Sequence, residues 1–140
     1  MKLSARNVIK SKVLAVEEGA VNAHIVLEAG SNKLSSTITL EAPKELGLEE
    51  GKEVYAIIKS SNVIVAKGSK VEGISARNQL AGKVESVDEG AVSAVVRIKL
   101  EGGEVISSDI SLQSAKDLGL EEGTEVVAII KSTDVIVGIA

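Results

Sequence analysis

Apolar and polar residues alternate along most of the chain, and a period of two is typical of β-strands with one buried face. The clearest face consists of Val21, Ala23, Ile25 and Leu27. Short clusters containing Gly, Asn or Ser interrupt the alternation, as turns do. The first half of the chain therefore predicts five strands, at residues 8–16, 21–27, 34–40, 53–59 and 63–66.

The alternation stops once, between the third and fourth predicted strands. Pro43 suits the first position of a helix, and Gly47 suits its end. In the second half Ser114 lies three residues before Asp117 and is predicted as the N-cap of the matching helix. Three strands, a short helix and two strands form the element order of an OB-type five-stranded barrel. An SH3-like barrel would match the strand count but not the position of the helix.

The whole pattern occurs twice. Residues 4–7 read Ser-Ala-Arg-Asn and so do residues 75–78, while Leu-Gly-Leu-Glu-Glu-Gly returns after one inserted residue. The insertion is predicted in the turn at residues 101–104. The sequence predicts an all-β protein of two tandem OB-type five-stranded barrels, each with one short helix between strands 3 and 4. The predicted domains are residues 1–67 and 75–140, joined by a polar, Gly-containing linker at 68–74.

The fourth strand of each repeat is apolar on both faces, at residues 54–58 and 126–130. One face fills a barrel, and we expect the other to meet another domain or another chain, because soluble proteins seldom expose such a patch. A domain of about seventy residues is also marginally stable alone. These features favour an oligomer.

Composition excludes several classes of function. The 140 residues carry a net charge of −4 and include one Tyr but no Phe or Trp, so basic surfaces for polyanions and aromatic platforms for bases are not expected. Without cysteine there is no thiolate chemistry. No apolar run reaches the length of a membrane span, and no signal-peptide stretch follows Met1, so a cytoplasmic location is expected.

Catalysis is not expected either. The single histidine, His24, corresponds to Val95 in the second repeat, so it is not a group that both repeats share. We interpret it as a strand residue at an interface or the surface. No nucleophile–base pair, phosphate-binding loop or metal-ligand spacing is present. The sequence therefore predicts a binding protein and not an enzyme.

Two kinds of polar segment occur in both repeats. The SARN segments are residues 4–7 and 75–78, and the Lys-Ser turns are residues 59–62 and 131–134. Hydroxyl, amide and ammonium donors of this kind suit a tetrahedral oxyanion. Each segment alone is better explained as a strand end or a hairpin turn. Their joint presence in both repeats favours anion binding.

These segments resemble those of the molbindins, the Mop family of cytoplasmic molybdate- and tungstate-binding proteins, in its tandem two-domain form. The resemblance rests on the two SARN segments, the second followed by Gln79, and on the Glu-Gly-Ala-Val stretches at 18–21 and 89–92. It extends to residues 114–120 and 131–135. It implies an OB-type fold, a homotrimer, molybdate or tungstate as ligand, and no cofactor.

The resemblance also implies where the oxyanion is held. A SARN segment would face the Lys-Ser turn of a neighbouring domain, and hydroxyls at the end of the third strand would complete the shell. The first repeat has Ala42 where the second has Ser114, so its shell lacks one hydroxyl. The implied residues are Ser4, Ala5, Arg6, Asn7, Thr39, Lys59, Ser60, Ser75, Ala76, Arg77, Asn78, Ser111, Ser114, Lys131 and Ser132. A second class of site is implied at Gly19, Ala20, Val21, Gly90, Ala91 and Val92.

The shared segments also predict selectivity. No carboxylate lies in a SARN segment, and Asp134 is the one carboxylate in the Lys-Ser turns. Molybdate and tungstate are proton-free dianions and need donors alone, whereas phosphate near neutral pH keeps a proton and needs an acceptor. A shell of donors therefore favours molybdate and tungstate over phosphate.

Three rival functions fit the sequence less well. An OB module for single-stranded nucleic acid is opposed by the acidic charge and the missing aromatics. The sensing half of a molybdate-responsive regulator would need a helix-turn-helix ahead of Ser4, where three residues stand. The accessory domain of a transporter ATPase would need a P-loop. Storage, buffering or homeostasis of molybdate and tungstate is the function predicted, and the sequence does not separate storage from delivery.

Overall fold

The structure, a computed structural model, describes residues 2–140. Within that range the chain forms ten strands and two short helices. In chain order they are β1 (Asn7–Glu18), β2 (Asn22–Ala29), β3 (Asn32–Thr39), α1 (Ala42–Leu46), β4 (Glu53–Ile58), β5 (Ile64–Lys67), β6 (Asn78–Glu89), β7 (Ser93–Leu100), β8 (Val105–Ser111), α2 (Leu112–Asp117), β9 (Glu125–Ile130) and β10 (Ile136–Gly138). The Lys-Ser turns form single 3-10 turns at Ser60–Asn62 and Ser132–Asp134.

The strands form two five-stranded antiparallel sheets that exchange their last strands. One sheet has the order β10-β4-β1-β2-β3, and the other has the order β5-β9-β6-β7-β8. Each sheet thus contains four strands of one repeat and the fifth strand of the other. The 3-10 turn after β4 carries the chain into the second sheet instead of reversing it beside β4. The sequence repeats and the two sheets therefore do not divide the chain at the same place.

The first strand of each repeat bends and pairs with two neighbouring strands. The first half of β1 pairs with β4 and the second half pairs with β2, with a register shift between Val13 and Ala15. β6 has the matching shift between Val84 and Ser86. Such bulges raise the local twist and help a sheet to curl. The predicted all-β class, the five-stranded curled sheets and the helix after the third strand are confirmed.

The two helices begin differently. α1 has Pro43 in its first turn and ends at Gly47, whose φ of 62° lies in the left-handed region, as predicted. The prediction of Ser114 as the N-cap of α2 was wrong. α2 begins earlier, at Leu112, and Ser111 is its N-cap, with Oγ accepting a hydrogen bond from the Ser114 N–H at 3.0 Å. Neither helix in residues 2–140 is long and apolar enough to cross a membrane.

Some strand limits also differ from the predictions. β1 continues through Glu18, so the turn that follows is shorter than predicted. Val21, predicted on the apolar face of the second strand, lies before β2 and is 83% exposed. The predicted one-residue insertion is confirmed: residues 30–31 join β2 to β3 and residues 101–104 join β7 to β8, while β8 is one residue shorter than β3.

The outer faces of the fourth strands are largely covered by the chain itself. All side chains of residues 126–130 are at most 2% exposed, and Ile57 in β4 is 8% exposed. Linker residue Ile74 and Ile129 of β9 line the same pocket. These strands therefore do not by themselves require an oligomer. The exposed apolar side chains lie elsewhere, and Val21 and Val92 are the most exposed of them.

Candidate functional site

Strand register places the SARN segment and the Lys-Ser turn of the same repeat side by side. Asn7 pairs with Ile58 across β1 and β4, so Arg6 and Lys59 lie just beyond that pair. In the second repeat Asn78 pairs with Ile130 in the same way. The sequence prediction assigned the two segments of a site to neighbouring domains. In the structure the antiparallel pairing of β1 with β4, and of β6 with β9, joins them within one repeat.

In the second repeat these segments line a pocket of about 370 Å³. Ser75, Ala76 and Arg77 lie on it together with Lys131 and Ser132. Its apolar part comprises Ile64, Ile74 and Ile129. Because β5 is exchanged between the sheets, Ile64 of the first repeat lines a pocket built mainly from the second. The pocket thus combines cationic and hydroxyl donors with an apolar wall.

The third strand of the first repeat adds a hydroxyl beside this pocket. Thr37 Oγ1 lies 2.8 Å from Ser132 Oγ and 2.8 Å from Nδ1 of His24. Thr37 and His24 are directly paired on β3 and β2. His24 is therefore half-buried where the two repeats meet, in line with its interpretation as an interface residue. We call Arg77, Lys131, Ser132 and Thr37 the second site.

The first repeat has the corresponding arrangement with different chemistry. Ser60 Oγ donates a hydrogen bond to Oδ2 of Asp109 at 3.1 Å. Arg6 Nε lies 4.0 Å from the same carboxylate oxygen. We call Arg6, Lys59, Ser60 and Asp109 the first site. Each site thus takes its SARN segment and Lys-Ser turn from one repeat and a side chain of the third strand from the other.

Asp109 and Thr37 occupy equivalent positions. Thr37 pairs with His24, and Asp109 pairs with Val95, the residue that corresponds to His24. Neither Thr37 nor Asp109 was identified from the sequence. A signal was present, because Thr37 and Asp109 lie two residues before Thr39 and Ser111, and alternate residues of a strand share a face.

The asparagines of the SARN segments join the two repeats. Asn7 Nδ2 donates to the Ser107 carbonyl oxygen at 2.9 Å, and the Ser107 N–H donates to Asn7 Oδ1 at 2.8 Å. Asn78 makes the same pair of bonds with Ser35, at 2.9 and 2.7 Å. Both asparagines are 2% exposed. Their side-chain amides thus hold each SARN segment against the third strand of the other repeat.

The remaining predicted residues lie in exposed positions. Thr39 ends β3, and Ser111 Oγ donates to Ser114 Oγ at 2.7 Å besides capping α2. The Gly-Ala-Val stretches at 19–21 and 90–92 form the turns between the first two strands of each repeat. Their Val21 and Val92 side chains are 83% and 82% exposed. Among residues 2–140 no group of His, Asp or Glu is arranged to hold a metal ion.

Comparison with known proteins defines the family. Residues 3–65 and residues 74–137 each match the TOBE domain. The chain therefore belongs to the TOBE-domain family, with two copies of the domain in tandem. This result confirms the tandem arrangement inferred from the repeated motifs.

Several individual proteins are similar to this chain in sequence. The molybdenum-pterin-binding protein MopB of Rhodobacter capsulatus is 34% identical over 140 residues, which make up 99% of this chain and 52% of MopB. A probable molybdenum-pterin-binding protein of Haemophilus influenzae is 56% identical over 66 residues, 47% of this chain and 96% of that protein. The chain spans about half the length of MopB and of the similar ModE proteins. The resemblance to the Mop proteins is confirmed.

Among solved structures, the cytoplasmic molybdate-binding protein ModG with molybdate bound superposes with a TM-score of 0.94. The two proteins are 42% identical, and the match covers 100% of both chains. The exchange of strands is thus part of a fold that the two proteins share along their whole length.

Proposed function

We propose that this protein binds molybdate, and tungstate by the same chemistry, for intracellular storage, buffering or homeostasis. The observation that carries the proposal is the strand register that joins a SARN segment to a Lys-Ser turn in both repeats. This arrangement occurs in a chain that superposes along its whole length on a molybdate-binding protein. The role proposed is binding without catalysis and without a cofactor.

The second site illustrates the chemistry. Arg77 and Lys131 supply charged donors, and Ser132 and Thr37 supply hydroxyls that turn toward a bound anion. Each charge-assisted hydrogen bond contributes about 1.5–3 kcal/mol. Several of them directed at one tetrahedral dianion account for specific binding of a small anion by an acidic protein.

We further propose that the sites are completed in a homotrimer. Arg6 is 57% exposed in the single chain, so its charge is strongly solvated until another surface covers it. Equivalent apolar residues are exposed in both repeats: Ile64 and Ile136 are 56% and 57% exposed, in addition to Val21 and Val92. Such repeated patches suit symmetric contacts between copies. The turns at 19–21 and 90–92 are proposed as the second class of oxyanion site, at these contacts.

A cytoplasmic location is proposed because the protein is similar to a cytoplasmic molybdate-binding protein. Neither nucleic acid nor membrane is proposed as a partner. The rival OB module for single-stranded nucleic acid is opposed by the net charge of −4 and by the absence of Phe and Trp from the sequence.

Titration calorimetry with sodium molybdate and sodium tungstate tests the proposal directly. We expect saturable binding of both anions, and elemental analysis of the purified protein is expected to detect Mo or W. A gel-shift assay with single-stranded DNA at low salt tests the rival function. Binding of DNA without binding of either oxyanion would reverse the assignment.

A further inference from the structure

We propose that the two sites differ in anion specificity because Asp109 places a carboxylate acceptor in the first site, where the second site has the hydroxyl of Thr37. The inference rests on the proposed oxyanion function and names a residue that sets the specificity of one site. The first site would accept oxyanions that carry a proton, such as hydrogen phosphate. The second site would accept proton-free dianions.

The contacts of Asp109 support this assignment. Its Oδ2 accepts the hydrogen bond of Ser60 at 3.1 Å and lies 4.0 Å from Arg6 Nε. Ser60 is buried, with 6% of its surface exposed, and the Asp109 side chain is 35% exposed. The carboxylate therefore already engages two of the donors that an oxyanion would use in the first site.

Arg6, Lys59 and Ser60 correspond to Arg77, Lys131 and Ser132, so among the residues that define the two sites only the third-strand residue differs between the repeats. One residue earlier, Ser36 and Ser108 both donate to a backbone carbonyl of the other repeat, that of Val135 and that of Val63. Two residues earlier, Ser35 and Ser107 both pair with the SARN asparagine of the other repeat. Because these serines make the same hydrogen bonds in both repeats, β3 and β8 lie in the same register. The carboxylate of Asp109 therefore occupies the position of the Thr37 hydroxyl.

The chemical consequence follows from charge and protonation. Any dianion in the first site, hydrogen phosphate included, lies close to the negative charge of Asp109 and must displace it from Ser60 and Arg6, which weakens binding. Hydrogen phosphate offsets this repulsion by donating its O–H to the carboxylate of Asp109. Molybdate has no proton and cannot make this contact. In the second site the same O–H meets the charged donors Arg77 and Lys131, and only a hydroxyl of Ser132 or Thr37 can turn to accept it, which makes a weaker hydrogen bond than a carboxylate does. The donor-only shell predicted for both repeats thus applies to the second site alone.

The experiment compares the full-length wild-type protein with Asp109→Thr, which installs the residue found at the equivalent position of the same fold. Molybdate is titrated calorimetrically, with and without inorganic phosphate as competitor. The wild type is expected to show two affinity classes, with phosphate competing at the weaker one. In Asp109→Thr the weaker class is expected to bind molybdate about tenfold more tightly and to lose the competition by phosphate.

Two further carboxylates serve as comparisons. Glu122→Gln removes the same charge from an exposed turn before β9, whereas the Lys-Ser turn follows β9, and both affinities are expected to stay as in the wild type. Asp134→Asn removes the carboxylate within the second Lys-Ser turn. If Asp134→Asn abolishes phosphate competition and Asp109→Thr does not, the inference is overturned.

The reciprocal variant Thr37→Asp introduces a carboxylate into the second site. It is expected to weaken the tighter molybdate class by about tenfold and to admit phosphate there. Circular dichroism verifies that each variant is folded, and either variant decides the question if the other does not fold. Equal affinity classes that neither variant changes would refute the inference while the proposed function stands. A wild type that binds no molybdate would instead refute the proposed function.

Discussion

The side-chain amide of Asn7 hydrogen-bonds to both backbone polar groups of Ser107, donating to the carbonyl oxygen at 2.9 Å and accepting from the N–H at 2.8 Å. Asn7 begins β1, the central strand of one sheet, and Ser107 lies on β8, an edge strand of the other. The amide thus substitutes for a neighbouring strand and joins the two repeats. The asparagine of the SARN motif is in this way a structural residue beside the proposed binding segment.

Replacing Asn7 with Ala is expected to destabilise the whole protein. The change leaves the buried N–H and C=O of Ser107 without partners, and each unmade bond costs about 1–3 kcal/mol. We expect the free energy of unfolding in urea to fall by about 2 kcal/mol or more. Asn22→Ala, at an exposed strand end, is the matched control and is expected to change little. Equal stability of both variants would contradict the structural role of Asn7.

Lys131 is expected to contribute directly to anion binding. Lys131→Ala removes a charged donor from the second site, and the loss of one charge-assisted bond corresponds to about a tenfold or greater fall in molybdate affinity. Titration calorimetry measures the effect. Lys44→Ala, on the exposed surface of α1, removes the same charge away from the Lys-Ser turns. Unchanged affinity and stoichiometry in Lys131→Ala would identify the lysine as an ordinary surface residue.

The exposed valines of the Gly-Ala-Val turns are expected to lie between copies of the chain. Light scattering of the wild type is expected to give about three chains per particle. In the double variant Val21→Glu, Val92→Glu, a charge at each contact would be desolvated on assembly, so we expect dissociation toward monomer. Ser69→Glu, in the exposed linker, adds a charge as a control. A wild type that is monomeric at micromolar concentration would contradict the trimer.

Sulfate provides a separate test of the second site. It carries no proton, so protonation does not exclude it, but its bonds are shorter than those of molybdate. In a shell sized for the larger anion its hydrogen bonds are stretched, and they weaken quickly with such misfit. At the tighter class of sites we expect molybdate and tungstate to bind alike, sulfate well below them and phosphate lowest. Competition titrations at fixed ionic strength measure the order, and sulfate binding as tightly as molybdate would disprove the size argument.

The local elements were predictable from the sequence because their causes are local. Alternation of side chains marks a strand with one buried face, and Pro43 and Gly47 fix the limits of α1 through their own backbone preferences. The tandem repeat required no more than comparison of the chain with itself. The donors of the SARN segments and Lys-Ser turns were predictable for the same reason, since hydroxyl, guanidinium and ammonium groups are properties of single residues.

The pairing of strands was decided only in the tertiary structure. Residues 54–58 and 126–130 have nearly the same sequence, so no local pattern distinguishes β4 from β9 as the partner of β5. The exchange joins the two repeats, and the apolar faces for which the sequence suggested an oligomer are buried in the folded chain. It also brings Asp109 to Ser60 and Thr37 to Ser132, across the boundary between the repeats. Contacts between residues far apart in the chain leave no periodic signal, because they depend on which strands meet and not on the residues that precede or follow each one.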